Sequence, residues 1–409
     1  MGADSRRLVI DGGTPIVDFD IKAFKPVPQS GIDLAVSAMS AGIMYRYQPK
    51  KKEDSITAKF ERSFSEYMNV KHTVGTNSCG SAMYIALNVV GVQPGDKVLT
   101  NAFTFHAVPS VIHHARAVPV LVESNREWAM DIDDLDKKAG ESGAKILLMS
   151  YMRGHVPDMD AVMEVVKKHN LIFIEDCAHA YATTWNGQLL GTFGEIGCFS
   201  TQSSKGLSAG EGGLFISNND EYAAKAVLYA GSYEQLWNKH FELDPERMNR
   251  LQNQIPGYSM RMQEVTAAML TPQIERLQHL KRIHNENWNL LHSLIGDHGN
   301  IEIPMPLPQV DSFCDTMQFH LVGLSREQSD LFIDVMKIEG LPMQIFGAKR
   351  NARDYRQWEY IEDHKELMGE TIANIEFACD LSLQPHLTQE NIRTIAQVFS
   401  EVLAYINAQ

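Results

Sequence analysis

Lys205 stands in the run F-S-T-Q-S-S-K-G-L-S-A-G-E-G-G, residues 199–213, just after a short apolar stretch and just before a glycine cluster. Lysine normally belongs on a solvated surface. Held between a buried strand and a tight Gly-rich turn, its amine is a candidate Schiff-base nucleophile, because burial or a nearby cation lowers the pKa and supplies the neutral form. The plainer reading of that segment alone is a loop lysine beside a turn. Other residues change the balance. Asp176 ends the apolar run L-I-F-I-E-D, and a buried carboxylate needs a partner. Phe105 and His106 follow a run that ends near Asn101, and Ser200 ends the run before Lys205. Gly80 and Ser81 open T-N-S-C-G-S-A-M-Y-I-A-L, a turn of small residues leading into an apolar helix. Backbone amides at such a helix start form an anion site, and phosphate is its common occupant. A phosphate cradle, a stacking aromatic, an acid and a lysine are the parts that pyridoxal 5'-phosphate requires. The lysine makes the Schiff base, the acid keeps the pyridine nitrogen protonated, and the aromatic covers one ring face.

The elements that must position these residues follow from periodicity. Residues 97–100, 117–123, 145–151, 171–176, 196–201 and 213–218 are predicted strands. They are nearly continuous in apolar residues, the pattern of strands buried on both faces. Residues 157–170 predict a helix with Asp158 as N-cap and two lysines in the last turn. Strand–helix–strand order implies a right-handed parallel crossover. The chain therefore reads as a three-layer αβα domain with a mostly parallel sheet, its ligand outside the carboxyl ends of the strands. Beyond Thr271 the pattern changes to a long helix over 273–295 and then Pro304, Pro306 and Pro308, a hinge into a smaller α+β domain. That domain would hold residues 319–324, an amphipathic stretch at 329–338 and a closing helix over 389–407. The expected division is an N-terminal arm at 1–30, a cofactor-binding domain at 31–275, and a connecting helix with the small domain at 276–409.

Composition bounds the partners. The chain has 409 residues and a net charge of -14, which argues against a nucleic-acid partner. Five widely spaced cysteines without a C-x-x-C pair fit free thiols in a reducing cytoplasm better than disulfides or a zinc site. No H-E-x-x-H or similar spacing suggests a metal. No apolar run reaches transmembrane length, and residues 1–13 lack the apolar core of a signal peptide, so a cytoplasmic protein without a membrane partner is expected.

The chain resembles the pyridoxal-phosphate-dependent sugar aminotransferases of the DegT/DnrJ/StrS group, with the fold of aspartate aminotransferase (fold type I). The resemblance runs from F-E-R-S-F-S-E-Y-M-N-V-K-H-T-V-G-T-N-S-C-G-S-A through F-T-F-H-A, D-M-D-A-V, E-D-C-A-H-A and S-S-K-G-L-S-A-G-E-G-G to G-Y-S-M-R-M-Q-E-V-T-A-A-M-L and L-S-L-Q-P-H-L-T. It implies that Lys205 is the Schiff-base lysine, Asp176 the partner of the pyridine nitrogen and Phe105 the stacking aromatic. Gly80, Ser81 and Ser200 would bind the phosphate, and His179 would pack by the cofactor ring. Ser259 stands where members usually carry an Asn that reaches the phosphate across a dimer interface; a serine is shorter and has no amide. Arg261 matches an arginine near the site, either a clamp for the carboxylate of the amino donor or a buried ion pair at the dimer interface.

The function so implied is transfer of an amino group from glutamate or glutamine to a carbonyl of a sugar or sugar acid by a homodimer with shared active sites. Most relatives use a nucleotide-linked keto-sugar. Arg153 occupies a spot where many carry an uncharged or aromatic residue, so an anionic acceptor such as a keto- or aldehydo-octulosonate is a second expectation. An aminocyclitol precursor is a third. Related sugar dehydratases carry His in place of the lysine, and Lys205 argues against that reaction. A regulator on the same fold would have no use for Lys205 and Asp176. Cys79 and Cys177 read as buried fillers, and His106, His320 and Trp358 as packing or polar neighbours.

Overall fold

The computed structural model describes residues 7–409. Seven strands, β1 (His72–Thr76), β2 (Lys97–Asn101), β3 (Val118–Val122), β4 (Ile146–Ser150), β5 (Ile172–Asp176), β6 (Ile196–Ser200) and β7 (Gly213–Ser217), form one sheet in the order β1-β7-β6-β5-β4-β2-β3. Strands β2 to β6 run parallel, and β7 is antiparallel to both of its neighbours. Successive side chains point to opposite faces of a strand. Leu147 and Met149 accordingly join one apolar layer with Phe60, Phe64 and Leu270. Ile146 and Leu148 join the other with Ala82, Ile85 and Val111. Helices cover both faces, which makes the three layers. The apolar strand runs in the sequence reflect this double burial.

The helix Met159–His169 shows how local sequence sets the crossovers. Asp158 caps it by accepting from the amides of Asp160 and Ala161, and Asn170 ends it in the left-handed region at φ 52°. Lys167 and Lys168 lie in its last turn, where the helix dipole favours cations.

Two features of the sheet depart from expectation. Strand β1 was not among the predicted strands. Its sequence H-T-V-G-T is polar and carries a central glycine, which weakens a strand signal. Gly75 lets Met262 pack closely, since a Cβ would lie 3.0 Å from the Cβ of Met262. The direction of β7 is the other departure. The connection from β6 to β7, residues 201–212, holds no helix, so the chain returns directly and must pair antiparallel. That return loop carries Lys205.

The strands Ile301–Glu302, Thr316–Leu321, Ala378–Ser382 and Gln344–Ile345 form a second, antiparallel sheet in that order. Its apolar cluster includes Phe319, Phe332, Phe399 and Leu381, and N-terminal residues Leu8, Val17 and Ile21 are buried in the same cluster. The helices Leu277–Ile295, Arg326–Ile338 and Gln389–Asn407 surround it. The loop after Gln344–Ile345 is tied back to the large sheet: Asp354 bridges to Phe103, and the amide of His106 donates to the carbonyl of Ala352 at 3.1 Å.

Candidate active site

The register of the sheet ends β4, β5 and β6 close together. Ser150 pairs with Asp176, and Asp176 with Cys198. A cleft of about 690 Å³ opens beyond these ends. Two adjacent carboxylates on β5 have opposite fates because they point to opposite faces. Glu175 is saturated: it accepts from the Tyr151 hydroxyl at 2.6 Å and from the amides of Gly191, Phe193 and Gly194 at 2.7–2.8 Å. It is a strut for the loop between β5 and β6. Asp176 lines the cleft. It accepts from the Ser150 hydroxyl at 2.8 Å and the amide of Ala178 at 3.1 Å, and the Cys79 thiol lies 3.7 Å away. Burial pushes its carboxyl above the usual range, opposed by these hydrogen bonds and by the charge of Lys205.

Lys205 reaches the same cleft from the return loop. Its Nζ lies 2.9 Å from Nε2 of His179. Burial lowers its amine to about 8, the charge of Arg153 adds to that, and Asp315 and Asp176 oppose it. Burial, and next the charge of Lys205, hold His179 well below the usual histidine range, so its ring is neutral. A neutral ring that accepts at Nε2 carries its proton on Nδ1, and that buried atom has no partner among the described residues.

The helix Cys79–Val89 begins at the cleft wall. Ser78 caps it and takes up the amide of Ser81. The amides of Cys79 and Gly80, in the first turn, have no carbonyl four residues back within the helix. They sit with Ser200, the last residue of β6, in the cleft lining. Phe105, 41% exposed, lines it too.

The cleft thus brings together Gly80, Phe105, Arg153, Asp176, His179, Ser200 and Lys205. Ser81, Ser259 and Arg261 lie outside its lining. The Ser81 hydroxyl is taken up by Asn77 Oδ1 at 2.6 Å and Ser78 Oγ at 3.0 Å. Arg261 donates to the carbonyl of Gly231 at 2.7 Å and to Ser259 at 3.3 Å, and its guanidinium lies over the Tyr45 ring. Arg153 does not face the cleft as a free charge. It forms an ion pair with Asp380 of the small sheet, from a left-handed backbone position at φ 57°. Trp358 is buried, its indole N–H donating to Ala352, and His320 stacks on Trp128.

Sequence reasoning missed Arg353, Asp380, Glu211 and the N-terminal pair Lys22 and Phe24, which also line the cleft. Glu211 stands in the Lys205 motif itself but was not singled out there. The other four stand in no motif and reach the site through tertiary folding of the small domain and the N-terminal segment.

The residues present fit pyridoxal phosphate. Open first-turn amides and Ser200 suit its phosphate, the buried Asp176 suits a protonated ring nitrogen, and Lys205 suits its aldehyde. His179 also lines this space.

Comparison with known proteins agrees. Residues 51–400 match the DegT/DnrJ/EryC1/StrS aminotransferase family. The chain is 33% identical over 223 residues to a GDP-perosamine synthase of Caulobacter vibrioides, across 54% of this chain and 57% of that one. It is 28% identical over 306 residues to an L-glutamine:2-deoxy-scyllo-inosose aminotransferase of Streptomyces kanamyceticus, across 73% and 70%. The crystal structure of 3-amino-5-hydroxybenzoic acid synthase shares the fold, with a TM-score of 0.81 at 23% identity over 94% of this chain and 99% of that one. For five curated relatives the matched segments span only 51–64% of the relative's own length. The family match covers most of this chain, and the protein belongs to the DegT/DnrJ/EryC1/StrS aminotransferases.

Proposed function

We propose that the protein is a pyridoxal-phosphate-dependent aminotransferase that moves an amino group from glutamate or glutamine to a carbonyl of a sugar or sugar acid. The observation that carries this reading is the convergence of Lys205, Asp176 and the open helix start at Gly80 on one cleft. When bound, the cofactor supplies an electron sink for the bonds at the reacting carbon. Lys205 would hold the cofactor, and its Nζ would carry the proton to and from the reacting carbon. An amine lowered to about 8 is suited to both directions of that transfer. His179 Nε2 keeps this Nζ aimed. The Asp176 carboxylate would hold a proton on the ring nitrogen, its orientation fixed by Ser150 and Ala178. Phe105 would cover one ring face. The amides of Cys79 and Gly80, with Ser200, would bind the phosphate.

A homodimer completes the reading. Ile32, Val36 and Met39 lie at helical spacing on the helix Gln29–Ser40 and are all exposed, an apolar stripe suited to a second copy. Ser259 and Arg261, outside the cleft of their own chain, would serve a site only across such an interface.

The acceptor is a nucleotide-linked keto-sugar, a sugar acid or a cyclitol; the relatives' names span the first and third. A screen decides among them. Enzyme converted to its amine-carrying form with glutamate is freed of donor and offered each acceptor class in turn. Return of the original absorbance with one class identifies it. Failure of glutamate and glutamine to convert the enzyme at all would sink the reading.

A further inference from the structure

Among the described residues, Arg353 forms no ion pair. It lines the cleft with Arg153, Lys205 and Phe105. Its guanidinium carbon lies 5.9 Å from the centre of the Phe105 ring. No carboxylate among the described residues lies within ion-pair distance of it, and its Nε is buried without a hydrogen-bond partner. The one carboxylate that acts on it, Asp380, is engaged by Arg153 and accepts from Nε2 of the Gln318 side chain at 2.8 Å. The Nε of Arg153 is also buried and unpartnered. Two guanidinium groups therefore stand at the wall of the cleft, and of the two only Arg153 is paired with a carboxylate among the described residues.

The backbone beneath Arg353 is fixed. Its amide donates to Asn351 Oδ1 at 3.0 Å, and Asn351 Nδ2 donates to the carbonyl of Ile345 at 3.0 Å. Ala352 accepts from the amide of His106 and from the Trp358 indole, and Asp354 bridges to Phe103. These ties set Arg353 next to the loop that carries Phe105. A rigid base spares the ordering cost that a flexible arginine meets on binding.

We propose that Arg353, backed by Arg153, is a substrate-carboxylate-binding residue of this cleft. The proposal rests on the transaminase reading above. Arg353 is half-buried with its Nε sealed from water, and a guanidinium so placed gains from an anion that completes it. The planar fork of arginine matches a carboxylate with two parallel hydrogen bonds. The cofactor's phosphate has its own donors at Cys79, Gly80 and Ser200. An amino-acid donor brings a carboxylate one bond from the carbon that reacts. A sugar-acid acceptor brings one as well. Burial, and then the like charge of Arg153, lower Arg353 to about 10, which leaves it fully charged at neutral pH and in need of that partner.

The test uses the cofactor-loaded enzyme and two variants, Arg353→Met and Arg353→Lys, with three readouts. Cofactor retention is measured first. The half-reaction with glutamate is then followed by absorbance, separately from the half-reaction with each acceptor. Wild-type enzyme is also treated with phenylglyoxal, with and without 2-oxoglutarate, and the modified arginines are mapped by mass. The expected result is full cofactor retention in both variants. In Arg353→Met, kcat/KM for glutamate should fall roughly tenfold to a hundredfold, mostly in KM, with partial recovery in Arg353→Lys. Arg353 should react with phenylglyoxal and be shielded by 2-oxoglutarate. A loss confined to a carboxylated acceptor, with the glutamate step intact, assigns the carboxylate to the acceptor and sustains the proposal. Loss of cofactor makes Arg353 a cofactor anchor and overturns it. So do wild-type rates in both half-reactions, or labelling that no carboxylate shields. Failure of the wild-type enzyme to react with any amino donor would instead overturn the transaminase reading, and shielding by 2-oxoglutarate would still decide the role of Arg353.

Discussion

The Nζ of Lys205 lies 2.9 Å from Nε2 of His179, and the charge of Lys205 adds to burial in holding that imidazole neutral. A neutral imidazole can accept from the lysine but cannot balance its charge. Burial, and next the charge of Arg153, bring this amine down to about 8, closer to neutrality than a surface lysine.

That lowering has a stability consequence in the cofactor-free protein. The amine of Lys205 falls to about 8 in the folded chain from 10.5 in the unfolded one, so between these values the unfolded chain binds more protons and folding strengthens as pH rises. The penalty is complete below pH 8 and is gone by pH 10.5. Lys205→Met should raise the Tm of the cofactor-free protein at pH 7, by at most about 3 kcal/mol of stability since water reaches the cleft. The gain should shrink as pH approaches 10.5. Melting curves across that range check it, and a gain independent of pH would contradict it.

Asp176→Asn keeps the shape and the contacts with Ser150 and Ala178 and removes the charge. Stability of the cofactor-free protein should hold or rise, because burial already disfavours the carboxylate. Transamination should fall on the order of a hundredfold or more, the scale seen when an aimed electrostatic contact is lost. Wild-type turnover in this variant would mean that Asp176 only caps its strand.

A buried ion network beside β1 makes the fold sensitive to acid. Arg46 and Glu61 pair at 2.8 Å with His240 beside them, and Glu61 also accepts from the amide of Gly75 in β1 at 2.9 Å. Burial alone would raise the carboxyl of Glu61; the charges of Arg46 and His240 overcome it and hold the group at about 2. Its contribution is present above pH 4.5 and is lost as pH falls from there toward 2. Arg46→Met should cost about 3–5 kcal/mol at pH 7, because it strands a buried charge. The difference from wild type should narrow below pH 4.5. Denaturant unfolding at pH 7 and pH 3 checks both statements.

The core of the large domain was legible because strands buried on both faces leave uninterrupted apolar runs. Asp176 stood out for the same reason, as a charge at the end of such a run. The Lys205 loop was legible through its small residues and glycines, but its effect on sheet direction was not, since one connection without a helix decides it. At the helix start the sequence picked out Gly80 and Ser81. The structure puts Ser78, Cys79 and Gly80 at the cleft and turns Ser81 into the helix's own capping contacts. A shift of one residue along a helix start is invisible to a motif. Arg153 was read as a substrate contact before its partner was known; Asp380 lies 227 residues away along the chain. Arg353 had no signal at all, because its meaning lies in the absence of a partner in three dimensions.

The central claim is that Lys205 holds the cofactor. Lys25 is the chemically credible rival: burial lowers its amine to about 8 as well, and its Nζ donates to the carbonyl of Gly206 beside Lys205. Enzyme loaded with pyridoxal phosphate should be reduced with borohydride, digested and mapped by mass. The expected result is a single cofactor adduct on the peptide that contains Lys205, absent from Lys205→Ala. An adduct on Lys25 or any other lysine, or none, would contradict the account.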